Sequence, residues 1–171
     1  MKVIYTGEDM PNTITKSLFM AGGSKRPGQE DMTSWRSEAL FLLNAKGFDG
    51  TVFCPEPKDG KFNKDFNYNN QIEWEEEGLT KSNCILFWFA RDLSLGKDGR
   101  VKLGCLISNI EWGVWCNSGK VVLGAPDNAD KMGYIKYYAK KYNVPTSNSL
   151  SGTIDNALIM IDGRSYIDLY Y

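Results

Sequence analysis

The sequence contains no histidine among its 171 residues. A Ser-His-Asp triad, a Cys-His nucleophile pair and a zinc or iron site with histidine ligands all need that side chain, so these sites are excluded. Acid–base chemistry on this chain therefore falls to Asp, Glu, Tyr, Lys or Cys. The missing histidine narrows the enzyme classes that are open to the chain.

Cysteine is scarce and is not spaced for a metal or redox site. The four residues are Cys54, Cys84, Cys105 and Cys116, and no two of them stand two or three apart, as a zinc knuckle or a thioredoxin-type pair requires. Most lie in apolar contexts, which predicts buried free thiols. We expect no metal site and no need for an oxidising compartment.

Excess charge and long apolar runs are also missing. Lys and Arg total 20 against 21 for Asp and Glu, so the net charge is −1 and no broad field attracts nucleic acid or anionic lipid. No apolar run approaches the roughly 18 residues of a membrane helix, and no charged segment followed by an apolar stretch opens the chain. The sequence predicts a cytoplasmic protein with neither a membrane nor a nucleic acid as partner.

What is present is the ordinary composition of a globular domain, with 42% apolar and 24% charged residues. The length predicts one domain over 1–171. Short apolar runs alternate with helical patterns, and the run at 84–89 (CILFWF) is apolar on both faces, as central parallel strands are. Together they predict an α/β fold with a parallel sheet.

Ligands of such sheets lie outside the carboxyl ends of the strands, where the strand order reverses. After the first core strand, Gly22 and Gly23 would let the backbone approach a ligand, and Lys25 with Arg26 is placed to meet a phosphate. The alternative is a surface loop with two solvated cations. The spacing matches neither a Walker loop nor GxGxxG.

A second candidate follows the 84–89 strand, after a predicted loop over 91–104. Ser108 and Glu111 form a Ser-x-x-Glu capping box, with Ser108 at the N-cap and Glu111 in the first helical turn. The helix dipole would keep Glu111 ionised there, as a carboxylate nucleophile requires. A purely structural capping role and a catalytic role both remain open on this pattern.

The acidic run at 73–77 (EWEEE) has two interpretations. It is either a solvated helix face or a helix with one glutamate turned inward beside Trp74, where burial would raise its pKa and make it a general acid. An acid of this kind facing an ionised carboxylate is the arrangement that cleaves glycosidic bonds. Trp35 and Trp112 adjoin the candidate positions, and such rings stack on flat bases.

Four ordered blocks of the sequence resemble the nucleoside 2-deoxyribosyltransferase-like family over roughly 17 to 136. They are LFMAGG, TSWRSEALFLLNAKGFDGTVFCPEP, QIEWEEEGLTKSNCILFWFARDL and ISNIEWGVWCNSGKVVLGAPDNADKMGYI. The resemblance implies a flavodoxin-like (Rossmann-like) parallel sheet of about five strands flanked by helices. It also implies an activity on the N-glycosidic bond of 2′-deoxynucleosides, without a cofactor.

The resemblance assigns catalytic roles to three acidic residues. Glu111 matches the glutamate that attacks C1′ of the sugar, and Glu75 matches the acid that handles the base or its proton. Asp92 matches an aspartate near the sugar hydroxyls or the base. These assignments are what the family pattern implies for this chain.

The resemblance also implies a substrate-binding set. Gly22 and Gly23 would line the sugar pocket, the Trp35-Arg36 pair would face the site, and Asn109 and Trp112 flank the nucleophile position. Phe19 stands where relatives carry a tyrosine, and Asn83 stands where many carry an acid. The chain ends on two tyrosines, as in relatives whose terminal carboxylate reaches a neighbouring subunit, and we expect a homo-oligomer.

Three functions remain open on the sequence. The first is transfer of deoxyribose between bases through a covalent glycosyl-glutamate. The second is hydrolysis of the N-glycosidic bond of a nucleoside monophosphate or an ADP-ribose-like nucleotide, with Lys25, Arg26 and Arg36 as phosphate contacts. The third is a protein that sequesters a nucleotide without chemistry, which the apolar and amide replacements at Phe19 and Asn83 favour.

Overall fold

The computed structural model describes residues 1–24, 33–60 and 67–163. Its strands are β1 (Lys2–Tyr5), β2 (Ser17–Gly22), β3 (Thr51–Cys54), β4 (Cys84–Trp88), β5 (Asp92–Leu95), β6 (Val101–Leu103), β7 (Val121–Gly124) and β8 (Thr146–Ser147). Its helices are α1 (Trp35–Ala45), α2 (Tyr68–Lys81), α3 (Leu106–Trp115), α4 (Gly133–Lys141) and α5 (Leu150–Ile161).

Six of the strands form one sheet in the order β1-β3-β2-β4-β7-β8, and every pair in it is parallel. From β3 to β8 this is the flavodoxin-like order 2-1-3-4-5. The predicted fold class is therefore confirmed. The sheet has six strands rather than about five because β1 adds to its outer edge, with Lys2 to Tyr5 paired along β3.

Helices cover both faces of the sheet because the central strands are apolar on both sides. In β2, Phe19 and Ala21 face the core under α2, α3 and α4, whereas Leu18 and Met20 face the core under α1 and α5. Every one of these four side chains is essentially inaccessible to solvent. Both faces are thus closed, and ligand access is left to the strand ends.

The segment predicted as a loop over 91–104 folds instead into an antiparallel hairpin of β5 and β6. Its turn is closed by hydrogen bonds from Gly96 N to Arg100 O (2.8 Å) and from Gly99 N to Gly96 O (3.0 Å). The side chain of Leu103, at the end of β6, packs close to Gly23 at the carboxyl edge of the main sheet. The hairpin therefore becomes part of the wall around the ligand edge.

The start of α3 also differs from the prediction. The helix begins at Leu106, with Cys105 at the N-cap in a left-handed conformation (φ 53°) and no side-chain cap. Ser108 is the third helical residue and is buried, so it does not form the predicted capping box with Glu111. Glu111 is the sixth residue of α3, in the second turn. Within the described residues, no helix combines the length and the apolar character needed to cross a bilayer.

Candidate active site

The strand order reverses between β2 and β4, and a cavity of about 300 Å³ lies at their carboxyl ends. We call it the site cavity. Its wall includes the glycine turn after β2 (Gly22, Gly23 and Ser24), Arg36 from α1, and one carboxyl group each from α2 and α3, those of Glu75 and Glu111. The predicted glycines and both predicted glutamates thus meet in one cavity.

Glycine is required at both glycines of the turn because the backbone runs against its neighbours. Gly22 has φ 145°, and a Cβ there would lie 2.4 Å from the carbonyl oxygen of Trp88. A Cβ at Gly23 would lie 2.7 Å from Sγ of Cys105. This close approach places backbone groups of β2 directly on the cavity wall.

The guanidinium of Arg36 holds the turn and is almost fully buried, with 2% exposure. Its Nε donates to the carbonyl of Met20 (3.1 Å), and its Nη2 donates to that of Gly22 (2.9 Å). Its Nη1 donates to Ser24 Oγ (2.9 Å) and to Glu56 Oε1 (2.8 Å). Arg36 lines the cavity, but most of its donors are occupied by the protein itself.

Trp35 supports the same turn from outside the site cavity. Its Nε1 donates to the carbonyl oxygen of Gly23 (3.0 Å), and its ring centroid lies 4.7 Å from the guanidinium carbon of Arg36. The ring lines a neighbouring cavity rather than the one that holds the two glutamates.

Burial raises the pKa of Glu75, the one glutamate of the acidic run that lines the site cavity. One of its carboxyl oxygens accepts a hydrogen bond from Nε2 of Gln71 (2.7 Å), one turn earlier on α2. That bond and the charge of Arg36 act in the opposite direction and offset part of the shift. Of the two interpretations of the acidic run at 73–77, the structure has the one in which a glutamate turns inward and burial raises its pKa.

Glu111 faces Glu75, and burial together with the negative charge of Glu75 raises its pKa to about 7. The charge of Arg36 lowers it by a smaller amount. The prediction that the helix dipole keeps Glu111 ionised is wrong for two reasons. Glu111 lies one turn further into α3 than predicted, where the dipole is weaker, and desolvation outweighs what remains of it.

Asp92 lies beside the site cavity rather than in it. It lines the neighbouring cavity, which has a volume of about 420 Å³ and shares Gly23 and Leu103 with the site cavity. The hydroxyl (2.6 Å) and the backbone N–H (2.9 Å) of Ser94, followed by the cation of Lys102, lower the pKa of the Asp92 carboxyl. Asp92 is thus an ionised group on the wall of the neighbouring cavity.

Two predicted binding residues are placed in the core instead. Phe19 is fully buried, with its ring centroid 6.3 Å from that of Trp74. Trp112 is 2% exposed and packs edge-to-face on Phe87 at 5.2 Å. Neither ring lines the site cavity or its neighbour, because both side chains point into the core between the sheet and α2, α3 and α4. Their role in the site is to support its floor.

Asn109 is also engaged within the chain. Its Oδ1 accepts a hydrogen bond from Nη2 of Arg91, whose Nη1 donates to the carbonyl of Lys131 (3.0 Å). Arg91 itself is buried beneath the neighbouring cavity. Asn109 therefore fixes a buried cation rather than lining the site cavity.

The predicted phosphate contacts Lys25 and Arg26 and the two terminal tyrosines lie outside the described residues. Glu56, Gln71 and Arg91 also hold the cavity walls, and the sequence patterns do not predict them. The strand-end rule points to Glu56, because this residue follows β3 by two positions. In the described ranges, no three His, Cys, Asp or Glu side chains converge as metal ligands would.

The sequence model of a family described as nucleoside 2-deoxyribosyltransferase like matches residues 15–129, more than half of the chain. The matched region runs from just before β2 to beyond β7. It contains Glu75, Glu111 and the glycine turn after β2. A search of the curated proteins finds no match.

Proposed function

The chain belongs to the nucleoside 2-deoxyribosyltransferase-like family, and we propose that it cleaves the N-glycosidic bond of a 2′-deoxynucleoside and transfers the sugar to another base. The observation that carries this proposal is the pair of partly buried carboxyl groups, Glu75 and Glu111, on one cavity at the switch point of the sheet. Two carboxyl groups with unequal roles are what N-glycosidic cleavage through a covalent intermediate needs.

In the proposed reaction, a carboxylate oxygen of Glu111 forms a bond to C1′ while the bond from C1′ to the base nitrogen breaks. The departing base takes a proton from the carboxyl group of Glu75, and the sugar remains as an ester of Glu111. A second base then attacks C1′ and loses a proton to Glu75, which regenerates both carboxyl groups. Splitting one displacement into two lowers each barrier.

The active form in this mechanism is the pair with one proton. Glu75 is the group whose charge raises the pKa of Glu111, so the pair loses one proton at lower pH and the second near pH 7. Below the first step both groups are protonated and no nucleophile exists, and above the second step no acid exists. In the main singly protonated form the proton lies on Glu111, and attack uses the minor form in which the proton has moved to Glu75.

The charges of the described residues favour a nucleoside over a nucleotide. Arg36 is paired with Glu56 (2.8 Å), and Arg91 donates to Asn109 and to the carbonyl of Lys131, so most donors of these two arginines are already engaged. Glu75 and Glu111 add negative charge, which disfavours a phosphate. A phosphate contact by Lys25 or Arg26 remains a prediction.

The test is incubation with a panel of deoxynucleosides and deoxynucleoside monophosphates, with and without free bases, followed by chromatography. A new nucleoside that forms only when a second base is present supports transfer. Free base released without an acceptor indicates hydrolysis, and tight binding without turnover indicates sequestration.

We further propose that the protein acts as a homo-oligomer in the cytoplasm. The outward side of α3 is apolar and carries no charged residue. Its side chains are each more than half exposed, and they are Leu106, Ile107, Ile110 and Val114. Gly113 lies among them, and an added Cβ there would meet nothing within 4 Å, so no contact among the described residues explains the glycine. An exposed apolar patch is typical of an interaction surface, and a twofold axis would pair this patch with the same patch of a second copy.

The proposed partner is a second copy, because Leu106 and Ile107 also line the site cavity and the copy would close it. Substitution Ile110→Asp should reduce the molar mass measured by light scattering. Phe41→Asp, which adds the same charge at an exposed aromatic position on α1, should not. A wild-type protein that remains a monomer at high concentration would contradict the proposal.

A further inference from the structure

We infer that Arg36 and Glu56 act together as a positioning pair: Arg36 fixes the shape of the glycine turn, and Glu56 sets how much of the Arg36 charge acts on Glu75 and Glu111. This inference rests on the proposed function, because those two carboxyl groups are its reacting groups. Neither Arg36 nor Glu56 is required to touch the substrate.

The geometry of Arg36 is that of a clamp between three elements. It is the second residue of α1, and its guanidinium bonds to the carbonyl oxygens of Met20 and Gly22 at the end of β2. The same guanidinium bonds to Glu56, just after β3, at 2.8 Å. A lysine has neither the planar fork nor the number of donors to hold these acceptors together.

Glu56 is itself fixed through both carboxylate oxygens. Oε1 accepts from Arg36, and Oε2 accepts from the hydroxyl of Ser34 at 2.6 Å. Ser34 is the N-cap of α1, and its Oγ accepts from the backbone N–H of Arg36 at 3.2 Å. The ion pair is therefore built into the start of the helix, with side-chain exposures of only 2% and 15%.

The Arg36 charge acts on groups of three neighbouring elements, β3, α2 and α3 with its N-cap. It lowers the pKa of four side chains that burial raises, and these are Cys54, Glu75, Cys105 and Glu111. Loss of the Arg36 charge should therefore raise the pKa values of the two glutamates. Loss of the Glu56 charge should lower them, because less of the Arg36 charge is neutralised. A purely structural role predicts no such opposite pair of shifts.

The experiment compares pH profiles of kcat/KM for Arg36→Met, Arg36→Lys and Glu56→Gln. In Arg36→Met, both limbs of the profile should move to higher pH by about one unit, the lower end of the effect of a close opposite charge. In Glu56→Gln, both limbs should move to lower pH. Arg36→Lys keeps the charge but loses the fork, so KM should rise about tenfold while the limbs stay near their wild-type positions.

A second readout does not depend on turnover. The carboxyl carbons of glutamate in the ligand-free protein are followed by ¹³C NMR against pH, with Glu75 and Glu111 assigned from their own Gln variants. Opposite shifts in Arg36→Met and Glu56→Gln support the inference, even for a protein that shows no base exchange. Absence of exchange would then contradict only the proposed function.

The matched control is the ion pair between Lys46 and Asp155 (2.7 Å), at the other end of α1. Lys46→Met and Asp155→Asn should leave the titration of both glutamates unchanged. If Arg36→Met does not fold, Glu56→Gln decides alone. Shifts in the same direction in the two variants, or no shift in Glu56→Gln, would overturn the inference.

Discussion

The two edges of the main sheet at which its strands begin and end, the amino edge and the carboxyl edge, differ in how far their charged side chains are exposed to solvent. At the amino edge, Lys16 pairs with Asp49 (3.6 Å) and Asp162 (3.2 Å), and all three side chains are more than 40% exposed. At the carboxyl edge, Arg36 is 2% exposed, and the carboxyl groups of Glu75 and Glu111 both have raised pKa values. The same fold therefore solvates charges at one edge and desolvates them at the other.

Exposed ion pairs and buried ionisable groups contribute differently to the free energy of folding. Exposed ion pairs contribute about 0–1 kcal/mol, because a modest Coulomb gain in water is offset by the side-chain entropy lost in holding the pair. Burying ionisable groups costs several kcal/mol per ion unless the groups are fully satisfied. A chain that retains such groups at one edge gives up stability there, and perturbed groups of this kind cluster at functional sites.

The largest effect should come from Glu111→Gln, which removes the nucleophile and keeps the shape. We expect kcat/KM for base exchange to fall at least about a thousandfold, since no covalent route remains. Steady-state chromatographic assays measure it. The control is Asp49→Asn, an equivalent change at the amino edge, which should leave the rate unchanged. Base exchange at the wild-type rate in Glu111→Gln would show that the carboxyl edge does not hold the nucleophile.

Glu75→Gln should have the next largest effect, a loss of about 10²–10⁴ in rate, because the departing base loses its proton donor. The Glu111 pKa should fall at the same time, since the charge that raises it is gone. The fall in rate above pH 7 should then disappear from the pH profile.

The control for this prediction is Glu77→Gln on the same helix, whose carboxylate is exposed and paired with Lys81. It should keep the wild-type profile. An unchanged alkaline limb in Glu75→Gln would exclude Glu75 as the acid.

Stability should change in the direction opposite to activity. The folded-state pKa of Glu111 is about 7, above its ordinary value of 4.5, so the folded state holds this proton more tightly and loses stability as pH rises from 4.5 to 7. At pH 8, Glu111→Gln should therefore be more stable than wild type by about 1–2 kcal/mol. Urea unfolding at pH 5 and pH 8 measures this, and the gain should be small at pH 5.

The smallest effect should come from the amino edge. Lys16→Met should cost less than about 1 kcal/mol in the free energy of unfolding, with the difference reduced further by salt. Base exchange should be unaffected. A larger loss, or an altered pH profile, would remove the contrast between the two edges.

Much of the fold follows from patterns that are local in sequence. The apolar run at 84–89 predicts a buried parallel strand, and β4 lies there. The hairpin of β5 and β6 was missed because its strands are short and half-exposed, and its glycines resemble those of a loop. The two-residue strand β8 has too few positions for any periodicity.

Part of the site also follows from patterns that are local in sequence. Strand-end glycines and the family pattern point to Gly22, Gly23, Glu75 and Glu111, and these residues share the site cavity. The direction of each side chain depends on packing that no local pattern encodes, and for this reason Phe19 and Trp112 are core residues. The titration of Glu111 depends on Glu75, which is distant in sequence, and on burial.

The most direct test of the covalent mechanism is to trap the sugar on the enzyme. A 2′-fluoroarabinosyl nucleoside slows breakdown of a glycosyl ester, and trypsin then releases Glu111 within the peptide 103–120 and Glu75 within the peptide 65–81. The covalent mechanism predicts that mass spectrometry finds the sugar on Glu111 in the first peptide, with one equivalent of base released, and no label in Glu111→Gln. A label in the peptide 65–81, or base release with no labelled peptide, would contradict it.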